Sequence, residues 1–81
     1  MDLRDNIRAY IVENFLFGDA GPLQSDGMSL LDSGIIDSVG VMELVAFLEK
    51  TYGIHVEDME MVPENLDTLA SIEKYIRSKL S

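Results

Sequence analysis

The sequence predicts an all-α fold, a small bundle of three main helices plus one short helix with a long first loop, and three observations carry that expectation. Apolar residues recur every three or four positions in three separated segments, no segment alternates apolar and polar residues as a half-buried strand would, and most glycines fall between the segments. The chain has 81 residues and no cysteine, so residues 1–81 are expected to form one small domain without a disulfide to hold it. A stability on the order of 5 kcal/mol follows for a core of that size.

Residues 2–16 carry Leu3, Ile7, Tyr10 and Ile11 on one stripe, with Asp2, Arg4, Asp5, Arg8 and Glu13 mostly off it. Asp2 is placed to cap this helix or to favour its positive end. Gly18 and the Gly21-Pro22 pair then stop regular structure, and 17–37 reads as one connection. That is longer than the roughly 12 to 15 residues usual in small domains. Its apolar residues Leu23, Met28, Leu30, Leu31, Ile35 and Ile36 predict that it folds back over the core. The second helix is expected from Ser38 to Tyr52, stopped by Gly53. A spacing of about 100° per residue puts Val41, Leu44, Val45, Leu48 and Tyr52 on a core stripe and gathers Val39, Met42, Glu43, Ala46 and Lys50 opposite. Residues 54–67 read as irregular, with Pro63 starting a short turn through Leu66. Asp67 or Thr68 can cap a last helix whose stripe is Leu69, Ile72, Ile76 and Leu80, with Tyr75 beside it and Arg77 and Lys79 near its negative end.

Composition excludes several classes of function. Six basic residues against fifteen acidic ones give a formal net charge of −9. Such a chain lacks the cations that displace counterions from nucleic acid or hold a protein on an anionic membrane surface. Without cysteine there is no thiolate zinc site and no thiol nucleophile in the polypeptide. No apolar run approaches the roughly 20 residues of a membrane span, and the first residues do not read as a secretion signal. A cytoplasmic monomer is the expectation.

The residues that could carry chemistry are few. His55 is the single histidine and reads as a loop residue, since no second histidine completes a metal site or a base pair. Glu57, Asp58 and Glu60, and the Asp26–Asp32–Asp37 series, lack the ligand and glycine spacing of a calcium loop. Ser38 lies in no Gly-x-Ser-x-Gly turn and is no hydrolase nucleophile. At the start of a helix it is either a capping or first-turn residue behind Asp37, or a serine placed where a helix N-terminus favours an attached phosphate.

Residues 32–52, and above all Gly34-Ile35-Ile36-Asp37-Ser38-Val39 with the amphipathic stripe behind it, resemble the central segment of acyl carrier proteins. The resemblance extends to Gly53-Ile54 and to Ile72-Glu73-Lys74-Tyr75-Ile76. It implies an acyl-carrier-like fold, and a carrier that is not itself an enzyme. It also implies that Ser38 bears 4′-phosphopantetheine taken from coenzyme A and that Asp37 contributes to recognition by the phosphopantetheinyl transferase. Val39, Glu43 and Glu49 match partner-facing positions, and the helical wheel adds Met42 and Ala46 to that face. The implied partners are the transferase, an acyl-activating ligase and acyl-processing enzymes with basic docking patches. Gly40 and Lys50 stand where housekeeping fatty-acid carriers often have acids, which points to a specialised lipid, fatty-acid or polyketide pathway. An aminoacyl or peptidyl carrier and an unmodified acidic interaction module are the alternatives. In some relatives the acyl chain folds back between the helices, and Met42, Met59 and Met61 are suited to adaptable packing.

Overall fold

A computed structural model describes residues 3–80. The helices run in the order α1 (Leu3–Phe15), α2 (Ser38–Tyr52), α3 (Pro63–Leu66) and α4 (Leu69–Leu80), with a 3-10 turn at Asp58–Glu60 between α2 and α3. No strand occurs among the described residues. Asp2, the expected cap of α1, lies outside them. The 3-10 turn is the one element that the apolar spacing did not indicate, because it buries no residue of its own.

The three long helices meet along their apolar stripes. Ile7 and Ile11 of α1, Leu44 and Leu48 of α2, and Leu69, Ile72 and Ile76 of α4 are each 1% exposed or less. Removing a side chain of this size from water contributes roughly 1.5–3 kcal/mol, so these seven positions supply a large share of the folding energy. Val41 and Tyr52, expected on the α2 stripe, are half-buried at its edges. Leu80 departs from expectation: at 54% exposure it stands outside the core, in the last described turn at the end of the bundle. Gly53 ends α2 with φ +65°, and its N–H donates to the carbonyl of Glu49 at 2.9 Å. A left-handed position of this kind is why the residue after the helix is glycine.

The long first loop does fold back, with Leu23, Leu30, Ile35 and Ile36 buried. Leu31 is the exception at 37% exposure, and Met28 is half-buried. A connection without a helix of its own must place its backbone polar groups elsewhere, and here Asp67 takes several. Its carbonyl accepts the Leu30 N–H at 2.7 Å, Oδ1 accepts the Leu31 N–H at 2.9 Å, and Oδ2 accepts the Ser29 hydroxyl at 2.5 Å. Asp67 is therefore spent on the loop and Thr68 caps α4, its Oγ1 accepting the Ser71 N–H at 3.0 Å. On the other side Arg4 joins α1 to both the loop and α4, donating to Asp26 Oδ2 at 2.7 Å and to Glu73 Oε1 at 2.8 Å.

The contact between the 3-10 turn and α4 gives the fold a pH signature. Burial, and then the hydrogen bond from its hydroxyl to Glu60 Oε1 at 3.1 Å, push the Tyr75 phenol from 10.0 up to about 12. Because folding favours the neutral phenol, this contribution is complete below pH 10 and is lost as pH rises from there through about 12. Hydrogen bonds from Lys79 to Glu60 and from Arg77 to Glu73 hold those two carboxyls below the ordinary 4.5. Their contribution runs the other way, present above 4.5 and lost as pH falls through their lowered values. Phenolate absorbance should accordingly show Tyr75 as the last tyrosine to ionise, with that step missing in Tyr75→Phe. Ionisation of Tyr75 at pH 10 in protein that is still folded would contradict this assignment.

Candidate functional site

The first turn of α2 is set by the residues just before it. Gly34 has φ +79°, and the turn it allows is followed by Ile35 and Ile36, both buried. Those two anchors leave Asp37 and Ser38 at the surface, where both are exposed. Asp37 is extended and caps α2: its Oδ1 accepts the Gly40 N–H at 2.7 Å, and its carbonyl accepts the Val41 N–H at 2.9 Å. With the cap supplied by Asp37, Ser38 is the first helical residue and its hydroxyl makes no hydrogen bond with the described residues. Ser38 is therefore the first-turn residue behind Asp37 and not the cap, a position that is also where a helix N-terminus favours an attached phosphate.

The outward face of α2 agrees with the wheel. Val39 and Met42 are 67% and 62% exposed, and Glu43, Ala46 and Lys50 are exposed beside them. The face is apolar at its centre, with one acid and one base at its margins. Gly40 requires a correction. It does not belong to a less acidic surface, because it is buried. A Cβ there would lie 2.9 Å from Phe15 Cε1 and 3.0 Å from Ile36 Cγ2. Close approach of α1 therefore accounts for glycine at this position, and the absence of an acid there carries no information about partners. Glu49 has internal work as well as partial exposure. Its Oε2 accepts the Val56 N–H at 2.9 Å and lies 3.4 Å from His55 Nδ1, while His55 Nε2 is 3.4 Å from Glu57 Oε1. His55 is otherwise a solvated loop residue, 75% exposed. No group of three potential metal ligands occurs among the described residues.

Beside Ser38 lies a cleft of about 280 Å³. Ser38, Val41 and Met42 form its α2 side, Leu31 of the loop closes one end, and Met61, Val62, Pro63 and Leu66 make the opposite wall. The wall residues were visible in the sequence as the short turn begun by Pro63. That they face Ser38 was not, since it depends on a contact between segments more than twenty residues apart. Ser38 and Met42 are the expected site residues that reach the cleft; Asp37, Val39, Glu43, Ala46 and Glu49 do not line it.

Fold and site together define a helical module that presents an unengaged serine at a helix start, beside an apolar cleft and an exposed helix face that is apolar at its centre. A family model described as the phosphopantetheine attachment site matches residues 17–76. A D-alanyl carrier protein of Abiotrophia defectiva is 26% identical over 54 residues, covering 67% of this chain and 68% of that relative. No solved structure matches. The chain belongs to the phosphopantetheine-binding carrier proteins, whose members bear covalently attached 4′-phosphopantetheine and act as carriers and not as catalysts.

Proposed function

We propose that Ser38 is the serine that bears the phosphopantetheine and that residues 1–81 form one carrier domain for small aminoacyl or acyl groups. The observation that carries the reading is the free Ser38 hydroxyl at the first position of α2. Within the matched segment the hydroxyls of Ser29, Ser33, Thr68 and Ser71 are engaged inside the fold, and of the exposed, unengaged Ser25, Ser38 and Thr51 only Ser38 stands at the start of a helix. Ser38 is exposed and uncommitted, and the first-turn N–H groups of α2, which have no intrahelical acceptor, favour a phosphodiester at that point. Asp37 keeps this turn in place through the Gly40 N–H, so its part in loading is to hold Ser38 outward as well as to offer a charge to the transferase. When bound, the group supplies the thiol that carries cargo as a thioester, a function the cysteine-free chain cannot perform itself.

Partners would read Val39, Met42 and Ala46, framed by Glu43, with Lys50 at the far margin. Exposed Asp32 and Asp37 add negative charge where the loop enters α2, which suits basic patches on a transferase, a ligase and cargo-processing enzymes. Tethering raises the effective concentration of cargo at any docked active site, so brief docking suffices and a monomer in the cytoplasm meets the need. No helix among the described residues is long and apolar enough to cross a membrane.

The similarity to a D-alanyl carrier protein favours an aminoacyl cargo. The apolar cleft beside Ser38 favours instead an acyl group of a lipid, fatty-acid or polyketide pathway. An unmodified interaction module agrees poorly with membership of the family. Intact mass after incubation with coenzyme A and a broad-specificity transferase tests the attachment: wild type should gain one phosphopantetheine and Ser38→Ala none. No gain in wild type, or an equal gain in Ser38→Ala, defeats the reading. Loading of the holo protein by amino-acid-activating and fatty-acid-activating ligases in parallel then separates the two cargoes.

A further inference from the structure

We infer that Glu60 is a positioning residue for the far wall of the cleft beside Ser38 and thereby limits the length of acyl group the cleft shelters. The inference rests on the reading that Ser38 bears the arm. Between Val56 and Leu66 no residue is fully buried, and of the two that this stretch supplies to the wall only Met61 packs against the core, half-buried. One residue supplies the polar ties. Glu60 Oε1 accepts from the Glu57 N–H at 3.0 Å, from the Tyr75 hydroxyl at 3.1 Å and lies 2.9 Å from Lys79 Nζ, and the Glu60 carbonyl accepts from Asn65 Nδ2 at 2.9 Å. A single side chain thus joins the start of the 3-10 turn to two positions of α4, while its backbone holds α3. The remaining attachments are the half-buried side chain of Met61 against the core and the two ends, Val56, whose N–H is held by Glu49, and Leu66 in the core.

An isolated exposed ion pair would carry little weight, but here three donors converge on one oxygen and the Tyr75 phenol is itself buried. Removing the carboxylate takes away both links to α4 at once, leaving Met61 and Val62 free to move away from Val41 and Met42. The cleft would then deepen towards Leu66. Each methylene of a tethered chain that leaves water favours the sheltered state by roughly fourfold, so even a small change in depth alters which chain length is protected.

Hydrogen exchange on apo protein and thioester lability on loaded protein test this together. In Glu60→Ala, amides of 57–66 should exchange about tenfold faster or more while those of 44–48 keep their wild-type rates. Glu60→Gln, which retains an acceptor for Tyr75 but not the charge for Lys79, should fall between. Protein loaded at Ser38 with acetyl- or octanoyl-phosphopantetheine is then cleaved with hydroxylamine. Relative to wild type, Glu60→Ala should lower the octanoyl rate several-fold against the acetyl rate. Unchanged exchange at 57–66, equal acceleration at 44–48, or an unchanged octanoyl-to-acetyl ratio overturns the inference. If Ser38 accepts no arm at all, the carrier reading and the length limit fall together, and the apo exchange still decides whether Glu60 positions the wall.

Discussion

Leu44→Ala is expected to lower the unfolding free energy by about 2–4 kcal/mol, while Glu43→Lys one position earlier leaves it within about 0.5 kcal/mol. The difference comes from the turn of the helix between adjacent residues. Leu44 is fully buried among the α1 and α4 stripes, so truncation loses both the transfer energy and the contacts around the space left behind. In a domain with about 5 kcal/mol in hand, that is a large part of the total. Glu43 is exposed, and the hydrogen bond that α1 makes at this residue, from the Tyr10 hydroxyl at 3.3 Å, is to the Glu43 carbonyl and survives the substitution. Urea midpoints at constant slope measure the first effect. The second change should appear instead in the rate of loading by the transferase, which a reversed charge beside Val39 and Met42 slows. Equal destabilisation by the two variants would mean that the face assignment of α2 is wrong.

What could be read from the sequence follows from how local each feature is. The three apolar stripes, the glycine stop at Gly53 and the Asp37-Ser38 helix start depend on residues within one or two turns, and they appear in the structure with boundaries shifted by at most a residue. The exposed face of α2 was legible for the same reason. Contacts made across the chain were not. Gly40 looked like a missing surface charge because nothing near it in sequence reveals that Phe15 packs 2.9 Å from where its Cβ would stand. Glu49 and Glu60 read as surface acids, yet each carboxylate ends on a backbone N–H in the segment after α2. Asp67 offered itself as a helix cap, and only the position of the long loop shows that its carboxylate serves Ser29 and Leu31 instead. An acid that lies 3 to 38 residues from its donor leaves no periodic trace. Leu80 shows the converse: periodicity continued to the end of α4, but among the described residues it is left 54% exposed at that end of the bundle.

The long loop gives the second large expected effect. Asp67→Ala should cost about 2 kcal/mol, because it removes an ionised acceptor from two donors at once. Its loss leaves the Leu30 N–H on the Asp67 carbonyl, which the substitution retains, but frees the Ser29 hydroxyl and the Leu31 N–H. Asp67→Asn keeps one side-chain oxygen and should recover about half of the loss. The damage is expected to be local first. Amides of 29–36 should exchange faster than those of α4, since the core stripes of Ile7, Leu44 and Ile72 are untouched. The same loop ends in Ile35 and Ile36, which seat Asp37 and Ser38, and it carries Leu31 at one end of the cleft. Loading of Ser38 should therefore slow in Asp67→Ala even at temperatures where the helices remain folded, and recover in part in Asp67→Asn. If exchange accelerates equally in the loop and in α4, Asp67 is a general stabiliser of the bundle. If stability and loading both stay at wild-type values, the hydrogen bonds it makes to Ser29 and Leu31 do not hold the loop, and the packing of Leu23, Leu30 and Ile36 does so with the bonds at Asp26 and the Leu30 N–H.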